Sequence, residues 1–404
     1  MPSIATGVNK QLRYKAESVW GVAPGATGAQ LLRRVSSTPN LKKQTFESAE
    51  LASHKQRADF RHGPRSVDGT INGELSSGTW KDFFAAAVRR AFTAVTAITG
   101  ASITISGSGP TWTVARAAGS WLTDGIKYGQ AGRLTAGGFN AANLNKNLVV
   151  LAATASNLTV MPLNGVALVA EGPIASSTWT IPGKVSYAPS TGHTDVSFAI
   201  EDYHADLTLS ELFLGCKINQ MDVTLPAVGI ATIALQMMGK DLTTAGAEYF
   251  TTPTAETTTG VFAAANGVLV AQGGAIAVVT GMNFSLKGNM TAEPTVGSNV
   301  YPDIAEGRIL LDGQLTALFE SATMRDYFLN ETEVSLVTAL SASASAAADF
   351  ISFTFPRIKF GAADKDDGDK SIIRSMPFTA LYYSAGGAGV SQEQTSFYAH
   401  DSQA

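Results

Sequence analysis

The chain has 404 residues, of which 45% are hydrophobic and only 15% charged, with 39 glycines and one cysteine. Globular chains ordinarily carry about 25% charged residues; here Ala, Gly, Ser and Thr fill the gap, which points to turn-rich β structure whose surface is partly covered by partners. A net charge of −4 excludes a general nucleic-acid binder, which would show a basic excess.

Lys10 to Lys15 alternates like a strand, Gly21-Val-Ala-Pro-Gly25 signals a turn, and Leu31 to Val35 reads as a second short strand. From Ser36 to Arg65 no apolar period fits helix or strand. A structureless stretch of that length is uncommon inside a compact domain and usually has a task or is disordered. This one carries Lys42, Lys43, Glu47, Glu50, Lys55, Arg57, Asp59, Arg61 and Arg65, and its anchors Leu41, Phe46, Leu51 and Phe60 are more than a solvated tail needs. We read residues 36–65 as an arm that becomes ordered against another subunit.

A strand over Gly69 to Leu75 follows, then a helix over 79–92 with Trp80, Phe83, Phe84, Ala87, Val88, Ala91 and Phe92 on one face. Ser77 or Thr79 is expected to cap it. Asp82 sits in the first turn and Arg89 and Arg90 at the far end, as the helix dipole favours.

Between Gly100 and Glu171 short runs, Ile103–Ile105, Trp112–Val114, Leu148–Leu151 and Leu158–Val160, alternate with Gly- and Asn-rich turns. Five or six short strands in about 70 residues predict a small β-barrel or sandwich. The last part is again strand-rich, over Val196 to Glu201, Asp222 to Leu225, Ile230 to Leu235 and Asn283 to Lys287. In Ile351-Ser-Phe353-Thr-Phe355 the apolar residues share one face; after Pro356 they move to Ile358 and Phe360, which predicts a bulge or bend at the proline. Ser341 to Ala348 reads as a flexible hairpin tip. Gly73-Glu-Leu75 before one helix is echoed by Gly313-Gln-Leu315 before a second helix candidate, Ser321 to Asn330, as in a two-fold pseudo-repeat.

Charge is unevenly placed. Residues 1–92 hold 14 Lys and Arg against 7 Asp and Glu, a balance of +7, and the remainder 15 against 26, a balance of −11. Copies of one chain attract when the basic part of one meets the acidic part of the next.

Chemical signatures are missing. No phosphate-binding glycine loop, His-Glu-x-x-His, Cys-x-x-Cys or Gly-x-Ser-x-Gly occurs. The histidines are scattered, and Cys216 among apolar neighbours reads as a buried, inert thiol. Asp364-Lys-Asp366-Asp367-Gly368-Asp369 lacks the glycine and glutamate positions of a calcium loop and reads as a solvated turn. Glu201, Asp202 and Asp206 lie near His204 without further support for catalysis. No enzyme activity, cofactor or metal is expected. Neither a signal-peptide core nor an apolar run long enough to cross a membrane is present, which implies a cytoplasm-like compartment.

Taken together, Gln11-Leu-Arg-Tyr-Lys-Ala-Glu17 with Trp20-Gly21-Val-Ala-Pro24, the polar arm, Gly69–Leu75 with the helix behind it, and the late strands around Phe353–Arg357 and Met376–Leu381 resemble the tail tube (major tail) proteins of long-tailed bacteriophages. The resemblance covers residues 1–98 and 185–385. It implies a mainly β fold: a tail-tube-type β-sandwich or barrel with one or two flanking helices and an inserted small β-barrel domain. The domains expected are 1–98 as the first part of the tube core, 99–183 as the insertion displayed outside, and 184–404 as the second part. Six copies would close into a ring, and rings would stack through the arm into a hollow tube that conducts DNA to the host without binding it specifically. The partners implied are further copies of the chain, the tape measure, the tail terminator and distal tail proteins; the place implied is the virion tail, assembled in the host cytoplasm. Asp312, Gln314 and Thr316, on one alternating face, are the candidates for the lumen. The alternative is a β-domain carbohydrate-binding adhesin or other phage tail-associated binding protein, with Trp112, Trp121 and Tyr128 as stacking platforms for sugars.

Overall fold

Alternating apolar and polar side chains decide which face of each strand leaves water, and most of this chain obeys that period. A computed structural model describes residues 4–51, 53–275, 279–318, 323–366 and 371–404. The N-terminal part supplies β1 (Lys10–Ala16), β2 (Thr27–Leu31), β3 (Ser36–Ser37), β4 (Asn40–Glu47), β5 (Phe60–Glu74) and helix α1 (Lys81–Val88). The next six strands are β6 (Ile98–Gly107), β7 (Trp112–Arg116), β8 (Ala131–Ala136), β9 (Leu148–Ala153), β10 (Asn157–Pro162) and β11 (Glu171–Thr180). They close into a barrel in the order β10-β7-β6-β11-β8-β9.

The remaining chain runs through β12 (Lys184–Tyr187), β13 (Phe198–His204), β14 (Leu209–Pro226), β15 (Thr232–Gly239), β16 (Asp241–Ala245), β17 (Thr252–Thr254), β18 (Gly267–Ala271), β19 (Gly274–Ala275), β20 (Val279–Lys287) and β21 (Leu310–Leu318). Helix α2 (Thr323–Leu329), β22 (Val334–Ser341), β23 (Phe350–Phe360), β24 (Asp364–Lys365), β25 (Ile373–Ala380) and β26 (Tyr398–Asp401) complete it. The fold is mainly β, as expected, with two short helices among the described residues and one closed barrel.

A central antiparallel sheet runs β5-β15-β14-β20-β21-β25. Its inner face carries Ile71, Leu235, Val223, Phe284, Leu315 and Phe378, and these join one large core with Leu12 and Tyr14 of β1, Phe198 of β13, Phe83 and Phe84 of α1, and Phe353 and Phe355 of β23. Strand β14 is 18 residues long and serves two layers. Its first half pairs with β13 and β16, and its second half with β15 and β20. Gly215, at φ +68, stands where the strand passes between layers; a side chain there would meet the Trp20 indole at 3.0 Å. Only glycine suits that corner.

Strands β22 and β23 are buried on both faces. Ile351, Phe353 and Phe355 face the large core. Val337, Ala339 and Phe350 meet Tyr128, Ala131, Val149 and Leu151 of the barrel segment. The Ser352 hydroxyl donates to the Gly129 carbonyl at 2.8 Å. The register between β22 and β23 slips between the pairs Val334–Ile358 and Leu336–Phe355, which is the bulge expected at Pro356. Residues 342–349 form the tip of that hairpin, and the barrel grips them: Asn147 Nδ2 donates to the Ala348 carbonyl at 2.8 Å and Arg133 Nη2 to that of Ala347 at 3.1 Å.

Three local expectations need correction. The helix ends at Val88, not Phe92, because Arg89 turns into the left-handed region (φ 60) and its buried guanidinium pairs with Glu306 at 3.1 Å. Neither hydroxyl caps it: Ser77 bonds to Asp401, and Thr79 bonds to Ser76 and Thr257. The second short strand covers Thr27–Leu31 rather than residues 31–35, so Arg33 and Arg34 lie beyond it. The echo between Gly73 and Gly313 has a packing counterpart. A Cβ on Gly73 would strike the Trp80 ring at 2.2 Å, and one on Gly313 the Phe378 ring at 2.3 Å. Helix α2 does follow the second glycine strand, over Thr323–Leu329.

Candidate assembly surface

The stretch read from sequence as structureless is a β-hairpin. Strand β4 pairs antiparallel with the first half of β5, from Asn40–Asp68 to Glu47–Phe60, with a bulge between Lys43 and Thr45. The period was hidden because the hairpin has no buried face. Beyond the pair Val67–Gly239, where β15 ends, β5 keeps only β4 and a single bridge to Val300 as ladder partners among the described residues. The eight residues of β4 therefore span about 27 Å of hairpin at ~3.4 Å per residue.

At its base Arg65 pairs with Asp241 at 2.6 Å, and its backbone N–H donates to the Asn299 carbonyl at 2.9 Å. Leu41 packs on the large core from a half-buried position. Lys42 pairs with Asp68 at 2.7 Å, Glu47 with Arg57 at 2.8 Å and Asp59 with Arg61 at 2.8 Å. Exposed pairs of this kind contribute about 0–1 kcal/mol each, so they shape the hairpin more than they stabilise it. Lys43, Glu50 and Lys55 point into solvent. The apolar members stay out of any core: Phe46 lies over the backbone of Gly63, Phe60 meets His62 edge-on at 5.2 Å, and Leu51 is fully exposed. An arm that keeps such side chains in water is made for a second surface.

The outer face of the central sheet is mostly polar. Asn72, Ala234, Asp222, Ser285, Asp312 and Thr379 form one cross-strand row, and Glu74, Thr232, Thr224, Asn283, Gln314 and Pro377 the next. Asp312 accepts from Thr379 at 3.1 Å and lies 3.4 Å from Lys287; Gln314 bonds to Ser375; Thr316 donates to the Gly281 carbonyl at 3.2 Å. The three residues singled out from sequence thus share one face. Sequence reasoning missed their neighbours Asp222, Ser285 and Lys287, although Asp222-Val-Thr224 and Asn283-Phe-Ser285 carry the same alternation. Glu74, Asp222 and Asp312 against Lys287 leave this face acidic. One margin is open: the far side of β4 has no partner strand among the described residues, whereas β25 pairs on its far side with β23 and β24.

Other candidates fall away. Trp112, Trp121 and Tyr128 are buried, Trp121 at 0% exposure and edge-on to Trp179 at 5.6 Å, so no platform for sugars exists there. Glu201 and Asp202 are consecutive in β13 and turn to opposite faces: Glu201 accepts from Ser210 Oγ and the Tyr249 N–H, both at 2.6 Å, and Asp202 pairs with Lys10. Asp206 accepts from the Thr6 N–H at 2.7 Å. Cys216 is wholly buried, and burial pushes its thiol pKa far up. The acidic run lies partly outside the described residues; Asp364 and Asp366 are exposed. Among the described residues no three His, Cys, Asp or Glu side chains gather as metal ligands, and no helix is long and apolar enough to cross a membrane. A family model described as phage tail tube protein matches residues 7–380. No curated protein matches the chain.

Proposed function

The chain belongs to the phage tail tube family, a structural part of the virion tail, and from that premise we propose that six copies close into a ring and that rings stack into the hollow tube through which DNA reaches the host. The observation that carries this reading is the β4–β5 hairpin, which projects past the sheet with Phe46, Leu51 and Phe60 in water. Assembly covers the open β4 margin, which otherwise leaves backbone donors and acceptors bare. Stacking joins six arms at once, so modest contacts add up to firm attachment.

The polar outer face of the central sheet lines the channel. Each phosphate that a lysine or arginine neutralises adds to DNA binding; a wall carrying Glu74, Asp222 and Asp312 lets DNA slide. The same lumen holds the tape measure, and the tail terminator and distal tail proteins take the two ends of the tube. The inserted barrel faces outward. The role is mechanical, without a catalytic step, and assembly takes place in the host cytoplasm. Negative-stain microscopy of the purified chain tests this: rings or tubes roughly a hundred ångströms wide are expected for six units of this size around a channel. Monodisperse monomers at every concentration and salt would overturn it.

A further inference from the structure

Strand registers define two ends of the central sheet. The arm leaves at the end marked by the pairs Val67–Gly239, Lys287–Leu310 and Leu311–Ala380. The opposite end is marked by Glu74–Thr232, Pro226–Gly281 and Leu318–Ile373. There Leu225, Pro226, Val268, Val279, Leu340 and Thr338 line a cleft of about 240 Å³ that mixes apolar side chains with polar groups. A water occupies about 30 Å³ of liquid, so the cleft has room for a large side chain. Beside it stand Val228, 91% exposed, and Ile230, while Leu318 and Ile373 carry exposed apolar surface along the same end.

We propose that this end receives the arm of a second copy, with the cleft and Val228 covering the arm's apolar tip and Asp364 facing its cations. The proposal rests on the stacking reading above and names the surface the arm meets. Three observations select this occupant. Donor and receiver lie at opposite ends of the same strands, so one contact repeats head to tail without closing, which is the geometry that builds filaments. The arm supplies the missing apolar groups in Phe46, Leu51 and Phe60. Charge is weakly complementary as well: Lys42, Lys43, Lys55, Arg57 and Arg61 stand against Glu47, Glu50, Asp59 and Asp68 on the arm, and Glu74, Asp364 and Asp366 against Lys365 and Arg374 at the receiving end.

The test uses two full-length variants. Leu51→Glu spoils the arm, and Val228→Glu with Ile230→Glu spoils the receiver; all three positions are exposed, so both proteins should melt like the parent. Each alone should stop at single rings by negative stain, with the concentration needed for stacking raised at least tenfold. Mixed together, they should give two-ring stacks and nothing longer, because each ring retains one sound end. If the receiver variant builds tubes at the parental concentration while Leu51→Glu does not, the receiving surface lies elsewhere and the proposal fails while the arm's role stands. If the parent forms neither rings nor tubes, the stacking reading itself fails.

Discussion

Strand β10 of the barrel has β7 on one side and β9 on the other, whereas β4 of the arm has β5 on one side and solvent on the other. The same chain therefore contains a sheet closed on itself and a sheet left open. Closure makes the barrel self-sufficient: its interior is filled by Trp112, Trp121, Trp179, Val114 and Val160, and each strand has a neighbour on both sides. The central sheet hides one face in an equally dense core, yet it keeps a free margin and a projecting hairpin. Folding and assembly thus use the same backbone chemistry, and strand connectivity assigns each region to one or the other.

Removing the arm should break the contrast most completely. Deleting residues 41–60 should abolish stacking while leaving a cooperatively melting protomer, since the deleted part has almost no buried apolar surface; unchanged tubes would refute the arm's role. The next largest effect falls where the two regions meet. Val337 is 1% exposed between β22 and the barrel segment. Val337→Asp places an unpaired carboxylate there and should cost on the order of 3–5 kcal/mol in denaturant unfolding. A loss below about 1 kcal/mol would mean that the barrel hangs loosely beside the body.

The junction also has a pH dependence. His400 is wholly buried; its Nδ1 accepts from the Ala131 N–H at 3.1 Å, so Nε2 carries the proton and donates to the Pro182 carbonyl at 2.7 Å. Burial, with Arg133 nearby, pushes its pKa down to about 4. Unfolded, it takes up a proton near pH ~6.5. The folded state resists that proton, so this contribution to stability is complete above about pH 6.5 and is lost as pH falls toward 4, up to about 3 kcal/mol. Asp401, whose pKa burial raises, acts in the opposite sense. Comparing the pH slope of unfolding in the parent and in His400→Gln isolates the histidine: the variant should lose less stability on acidification, and equal slopes would dismiss it.

Much of the barrel was legible in the sequence because β6, β7, β9 and β10 hold short apolar runs between Gly- and Asn-rich turns, whereas β8 and β11 carry no such run. The Pro356 bulge was legible because an alternation changed phase. The arm was legible as an unusual segment but not as a hairpin: Asn40 to Glu47 has no buried face, and strands announce themselves through burial. The helix end was misread for the opposite reason. Ala91 and Phe92 continue the apolar period, but the tertiary pairing of Arg89 with Glu306 takes precedence over it. The burial of Ser352 and Thr354 could not be read at all, since it depends on a barrel more than 150 residues earlier in the chain. Of the candidate lumen, the alternation in β21 was visible, whereas its extension across six strands required the register.

Two glycines sharpen the comparison at the smallest scale. Gly132 of the barrel lies under Trp179 and Gly73 of the open sheet under Trp80; in both cases a Cβ would come within 2.2 Å of a buried indole, and neither glycine has positive φ. Substitution by alanine is thus a purely steric insult, expected to cost about 1–3 kcal/mol at either site. The consequences should differ in extent. Gly132→Ala strains a unit closed on itself, so hydrogen exchange should quicken in β8, β9 and β11 while ring formation persists. Gly73→Ala strains β5, which runs directly into the arm, so its effect should spread from the central sheet to the hairpin and raise the concentration needed for stacking. Equal spread from both sites would show that the barrel and the sheet form one cooperative unit, and that closure isolates the barrel's edges but not its stability.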